Sequence, residues 1–134
     1  MKHSLLFLSF AEAVEINQYQ ICHFGGAPGI RDVDLLRSAL AVPSATFDGR
    51  FLHADLAEMA AAYLFHITEN HSFVDGNKRT GTMAAIIFLD LNGYDFDAPD
   101  DELTETVIST ASGKMTKAEL ASFFRKHSHR RRAR

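Results

Sequence analysis

Apolar residues recur at three- and four-residue intervals along most of this 134-residue chain, the periodicity of helices that each bury one face. Ser9-Phe10-Ala11-Glu12 reads as a capping box, and Ile16, Tyr19, Gln20 and His23 carry that first helix to a stop at Gly25-Gly26. Asp32 caps a second helix, whose apolar positions are Leu35, Leu36, Ala39 and Leu40 and which Pro43 ends. A longer third helix starts at Asp55-Leu56-Ala57-Glu58 and runs through Met59, Tyr63, Leu64 and Ile67. Its Ala60-Ala61-Ala62 run suits a close approach by another helix. The apolar stretch from Met83 to Leu89 predicts a fourth, buried helix that stops near Asn92-Gly93. Asp101 and Thr116 are the expected caps of two more, the latter in a second capping box with Glu119, separated by Gly113-Lys114. Leu5 to Leu8 reads as a short extended entry, and Thr46-Phe47 and Arg50-Phe51 flank an Asp48-Gly49 turn that predicts a hairpin. The pattern is that of an all-α, single-domain bundle of about six helices with a small β-hairpin flap.

Composition adds boundaries to this picture. A hydrophobic content of 46% supports one compact core, assigned to residues 1–126, with 127–134 expected to be a basic, disordered tail. No stretch is long enough to span a membrane, and Leu5 to Leu8 is too short for a signal-peptide core. The single cysteine, Cys22, excludes an internal disulfide and agrees with a reduced, cytoplasmic setting. Without partners at metal-ligand spacing, it is expected to pack inertly in the first helix. All 17 acidic residues precede residue 125 against 8 Lys and Arg, so residues 1–124 carry 8 − 17 = −9; residues 125–134 hold six cations and no acid. Such a tail can touch nucleic acid or a membrane, but no aromatic residues interleave its arginines. A solvated terminus is the simpler reading, with neither nucleic acid nor membrane expected as a partner.

Between the third and fourth helices lies His71-Ser72-Phe73-Val74-Asp75-Gly76-Asn77-Lys78-Arg79-Thr80-Gly81. The loop opens onto the start of a buried helix, where unpaired N–H groups and the positive dipole end attract an anion. Gly76 permits close approach of the main chain, and Lys78 and Arg79 add a point charge and a planar fork for phosphate. Asp75 beside a phosphate implies a divalent cation between them, which points to Mg²⁺. His71 is then the candidate general base for an attacking hydroxyl. Phe73 is an apolar anchor, and Asn77 either stabilises the turn or bonds a phosphate oxygen. Seven histidines raise the question of zinc, but His66 and His71 are five apart and no HExxH or CxxC is present. The site therefore reads as nucleotide or phosphate chemistry.

His71-x-Phe73-x-Asp75-Gly76-Asn77-Lys78-Arg79 resembles the signature of the Fic/Doc superfamily, and most closely its Doc (death-on-curing) toxin branch, with the pattern His-x-Phe-x-Asp/Asn-x-Asn-Lys-Arg. Gly25-Gly26-Ala27-Pro28-Gly29-Ile30-Arg31-Asp32, followed by Leu35-Leu36 and Ser38-Ala39-Leu40, is similar to the same branch. The resemblance implies a Fic/Doc-like helical domain that uses ATP and Mg²⁺ to modify a protein hydroxyl. His71 would be catalytic, Asp75 would hold the metal, and Gly76, Asn77, Lys78 and Arg79 would bind the nucleotide. It further implies a growth-arresting toxin, a cognate antitoxin, and a translation factor as target, elongation factor Tu first. In such relatives a flap like that at residues 46–51 lies beside the active site and holds a target segment by strand pairing; the alternative is an ordinary surface loop with Phe47 and Phe51 as its anchors.

The general Fic pattern continues after Asn with Gly-Arg-x-x-Arg, where this chain has Lys78 and Thr82. AMP-transferring members use that glycine and second arginine, so the departure predicts transfer of the γ-phosphoryl group, with AMP transfer the alternative. A non-enzymatic binding module using the Arg-rich tail is the second alternative. Self-restraining Fic relatives carry a Ser/Thr-x-x-x-Glu-Gly/Asn helix. Among the seven glutamates here only Glu69 precedes Gly or Asn, and Phe65 holds its Ser/Thr position. Inhibition is therefore expected from a separate antitoxin protein.

Overall fold

The computed structural model describes residues 4–132. Its central element is the helix α3 (Leu56–Asn70), apolar on every side and buried from Met59 to Leu64 and at Ile67 and Thr68. A helix of that kind must be surrounded. α2 (Val33–Ala41), α4 (Asn77–Leu91) and α6 (Lys117–His127) pack on α3, while α1 (Phe10–Phe24) packs on α4 and α5 (Asp100–Ala111) touches both α3 and α4. Ala60, Ala61 and Ala62 are fully buried, as the alanine run predicted. α3 and α4 approach closely at Gly81 of α4, where an added Cβ would stand 3.1 Å from the Leu64 carbonyl oxygen and 3.2 Å from Thr68 Oγ1. Glycine at this one position lets the two longest-contacting helices lie backbone to backbone.

Most helix starts follow the sequence. Ser9 and Thr116 form full capping boxes with Glu12 and Glu119, and Asp32 and Asp55 accept from the N–H groups of Leu35 and Glu58. α5 differs: its cap is Pro99, not the expected Asp101. Proline's extended backbone turns directly into the helix, and Asp100, Asp101 and Glu102 fill the first turn, where negative charge suits the dipole. Cys22 is exposed, so the expected inert packing of that residue is corrected.

The hairpin β1–β2 (Thr46–Phe47 and Arg50–Phe51) is present, with Asp48 and Gly49 at φ 52° and 77°. Two successive positive φ values make the turn favoured by twisted hairpins, which Asp-Gly adopts at little cost. Its position departs from expectation. Phe51 packs on Phe7, whose ring stacks on Phe88 near the end of α4, and the chain then enters α3 at Asp55. His71 caps the other end of α3, and fifteen residues of helix separate the two by about 22 Å. The hairpin base is thus anchored at the end of the bundle remote from His71. Of the two phenylalanines expected as anchors only Phe51 acts as one, since Phe47 is 75% exposed.

The C-terminal segment is likewise not disordered as far as it is described. After α6, β4 (Ser128–Arg130) pairs antiparallel with β3 (Tyr94–Phe96), matching Tyr94 to Arg130 and Phe96 to Ser128. Asp97 N–H donates to the His127 carbonyl and Arg131 N–H to that of Gly93. The Arg131 guanidinium bonds Asp90 Oδ1 at 2.7 Å and Asp95 Oδ1 at 3.0 Å. Charge and backbone account for this together. The acidic body offers carboxylates to a cationic segment, and the ladder satisfies backbone groups that coil would leave to water. Ala133 and Arg134 lie outside the described residues.

Candidate active site

The sequence nominated His71, Asp75, Gly76, Asn77, Lys78 and Arg79, and all six line one cavity of about 460 Å³, together with Thr68, Val74 and Ala111. The cavity lies where α3 ends and α4 begins. His71 is the C-cap of α3 at φ 48°, a left-handed conformation rare outside glycine. Arg31 meets that turn, with Nε donating to the His71 carbonyl at 2.6 Å and an Nη to the Asn70 carbonyl at 3.1 Å. A cation on the last carbonyls of a helix is doubly favourable, as hydrogen bond and as partner of the dipole. Asn70 in turn donates to the Leu35 carbonyl. The main chain that carries the imidazole is thereby fixed from both sides, and His71 itself is exposed at the cavity wall.

The glycine-rich loop between α1 and α2 is a clamp on this site rather than a mere connector. Ile30 and Phe73 form an antiparallel bridge, Ser72 O accepts from the N–H groups of Arg31 and Asp32, and Val74 N–H donates to Gly29 O. Phe73 is 1% exposed, as expected of an anchor. Ala27 N–H donates to Asp75 Oδ2 at 2.7 Å, fixing one carboxylate oxygen. From α1, the buried Asn17 Nδ2 reaches the Asp75 carbonyl at 2.9 Å and Thr80 Oγ1 at 3.1 Å. Gly76 sits against this contact at φ 78°, and a Cβ there would come 3.2 Å from Ile21 Cδ1 and 3.3 Å from Asn17 Nδ2. The close approach that Gly76 permits is therefore to α1.

Two nominated side chains hold the loop as well as line the cavity. Asn77 Oδ1 accepts from Phe73 N–H at 3.0 Å and Nδ2 donates to Phe73 O at 2.9 Å, the turn-stabilising role. Arg79 donates to Gly25 O at 2.9 Å and lies over the Phe24 ring, fastening α4 to the end of α1. A guanidinium has five donors, so this leaves part of its fork uncommitted. Lys78 is exposed and forms no ion pair among the described residues.

The fit to a phosphate ligand rests on α4. Unlike α1, α2, α3 and α6, it has no side chain capping its first turn, and its first main-chain bond is Thr80 N–H to Gly76 O. The N–H groups of Asn77, Lys78 and Arg79 are left without helical acceptors at the cavity. Among the described residues no group of three or more His, Cys, Asp or Glu could hold a metal ion. Asp75 supplies one carboxylate, which suits Mg²⁺ shared with phosphate oxygens rather than a protein cage.

Sequence reading missed Asn17, Arg31 and Thr68. Asn17 and Thr68 are polar residues on otherwise apolar helix faces, a visible irregularity. The Thr68 hydroxyl lines the cavity buried and without a hydrogen-bond partner, a donor or acceptor in waiting. Arg31 lies in the stretch similar to the Doc branch, but nothing local gave its role, which depends on a turn forty residues later.

The chain belongs to the Fic/DOC family, whose model matches residues 7–89. It is 40% identical over 106 residues to a protein named Toxin Doc from Mycolicibacterium smegmatis (strain ATCC 700084 / mc(2)155), covering 75% of this chain and 82% of that protein. It is 30% identical over 120 residues to Protein kinase doc of Escherichia phage P1, covering 89% and 93% respectively. Among the described residues no helix is long and apolar enough to cross a membrane.

Proposed function

We propose that this protein is a Doc-like toxin that transfers the γ-phosphoryl group of ATP to a Ser or Thr hydroxyl. The observation that carries the reading is the single cavity in which His71, Asp75, Lys78 and Arg79 meet the uncapped start of α4. In the proposed step a ring nitrogen of His71 takes the hydroxyl proton as that oxygen forms its bond to the γ-phosphorus. The bond from the γ-phosphorus to the β,γ-bridging oxygen breaks, and ADP leaves. Lys78, Arg79 and the free N–H groups of α4 hold the phosphate oxygens, and Thr68 Oγ1 offers a further contact. Asp75, held by Ala27, would bind Mg²⁺, which neutralises charge between the phosphates when present.

Choice of the γ over the α position is supported by residue 82. Thr82 stands where AMP-transferring relatives have an arginine, and its hydroxyl donates to the Lys78 carbonyl at 2.7 Å, so it brings no cation. The name of the phage relative, Protein kinase doc, points the same way. On this reading the target is a translation factor, elongation factor Tu the first candidate, in the cytoplasm, and a separate antitoxin restrains the enzyme. Incubation of cell lysate with γ-labelled ATP tests it. Wild type should label a discrete protein, and His71→Ala should label it about 10²–10⁴-fold more slowly. Equal labelling by His71→Ala would remove the general base from the scheme.

A further inference from the structure

Threonines inside helices commonly return their hydroxyl to the carbonyl four residues back, and Thr82, Thr104 and Thr110 do so here at 2.7, 2.8 and 2.9 Å. Thr68 of α3 does not. It is 2% exposed, and its Oγ1 has no hydrogen-bond partner among the described residues. Gly81 of α4 lies over both this oxygen and Leu64 O, the acceptor four residues back. A buried hydroxyl without a partner lowers stability, and this one belongs to a residue on the wall of the candidate active site.

His71 has the complementary lack. The imidazole of a general base needs a partner on the nitrogen that does not take the proton, because that bond fixes the tautomer and the ring orientation. Among the described residues the His71 ring makes no hydrogen bond, since the contact from Arg31 goes to its carbonyl. The other side chains of the cavity leave little choice. Both amide atoms of Asn77 are committed to Phe73. Lys78 and Arg79 only donate, and Val74, Gly76 and Ala111 have no polar side-chain atom. Asp75 has one carboxylate oxygen on Ala27 N–H, and its other oxygen is the one left for a cation. Thr68 remains. It precedes His71 by three residues, which puts the two on one face at the end of α3, neighbours by about 5–6 Å between Cβ atoms.

We propose that Thr68 is the positioning residue of the general base: its Oγ1 accepts a hydrogen bond from His71 Nδ1–H and leaves Nε2 to take the hydroxyl proton. The inference rests on the reading of His71 as that base. Nδ1 is the ring nitrogen nearer the main chain, on the side where Thr68 stands, and Nε2 reaches farther into the cavity. A hydroxyl holds one donor and two acceptor sites, so Thr68 still has its O–H for a phosphate oxygen while it accepts from the ring. The bond forms when the exposed imidazole turns inward over Thr68, as catalytic hydrogen bonds often tighten only with substrate present.

Thr68→Val tests this, because it keeps the shape of the side chain and removes only the hydroxyl. Rates of label transfer from γ-labelled ATP, at varied ATP concentration, are compared for the full-length wild type, Thr68→Val, Thr68→Ser and His71→Ala, beside their thermal midpoints. Thr68→Val should lower kcat about 10–100-fold with KM for ATP within about twofold of wild type. Its midpoint should be equal to or above that of wild type, since an unpaired buried hydroxyl is gone. Thr68→Ser restores the hydroxyl and should recover most of kcat. A Thr68→Val enzyme at the wild-type rate, beside a slow His71→Ala, would overturn the positioning role and leave the general base standing. A rise in KM at unchanged kcat would also overturn it, by making the hydroxyl a nucleotide contact alone. So would a clear fall in the midpoint of Thr68→Val, which would make the hydroxyl structural. His71→Ala as fast as wild type would overturn the base, and the positioning role with it.

Discussion

Replacing Arg31 by alanine removes the fork that holds the end of α3 and leaves the main-chain bonds of residue 31 in place. Two charge-assisted bonds are lost, to Asn70 O and His71 O. Such bonds contribute about 1.5–3 kcal/mol each when sheltered, but this guanidinium is exposed, so about 1–2 kcal/mol for the pair is the appropriate scale. His71 at φ 48° costs about 1–2 kcal/mol against an ordinary conformation. The two terms are of equal size, so without Arg31 the turn loses the interaction that offsets its strain. Arg31→Ala should lower the thermal midpoint by about 3–8 °C and the transfer rate by about 5–30-fold. Hydrogen exchange at residues 71–76 should accelerate in parallel. Arg31→Lys keeps the charge without the fork and should fall between. An Arg31→Ala protein with unchanged exchange in that loop and full transfer would refute the positioning role.

Other sites give independent checks. Gly81→Ala forces a Cβ to 3.1 Å from Leu64 O and should destabilise by about 1–3 kcal/mol, read as an earlier midpoint in urea. His66 has its pKa lowered to about 4 by burial, then by the Lys117 charge and by His53, and Lys117 Nζ lies 3.0 Å from its Nε2. The unfolded histidine binds its proton near the ordinary 6.5 while the folded one does not, so stability should fall as pH drops from about 6.5 toward about 4. His66→Gln should flatten that slope in pH-dependent denaturation. Truncation after His127 removes β4 and the Arg131 ion pairs and should cost about 1–2 kcal/mol; an unchanged midpoint would restore the disordered tail.

The helices were legible because their signals are local: side-chain caps at Ser9, Asp32, Asp55 and Thr116, and apolar spacing between them. The cavity residues were legible for the same reason, being one contiguous run. What escaped the sequence depends on contacts between distant segments. The β3–β4 pair joins three residues after a glycine turn to a basic tail more than thirty positions later, and neither half reads as a strand. Arg31 and Asn17 act on a loop they approach only in three dimensions. The hairpin was found from its Asp-Gly turn, but its place at the far end of α3 follows from Phe51 seating on Phe7, which no local pattern encodes.

The reaction is defined by which phosphorus meets the hydroxyl. Parallel reactions with ATP labelled at the α or the γ position, using the purified target and wild-type enzyme beside His71→Ala, decide it directly. Label should enter the protein from the γ position alone, and His71→Ala should slow it about 10²–10⁴-fold. Label entering from the α position alone would contradict γ-transfer and establish AMP transfer at the same site.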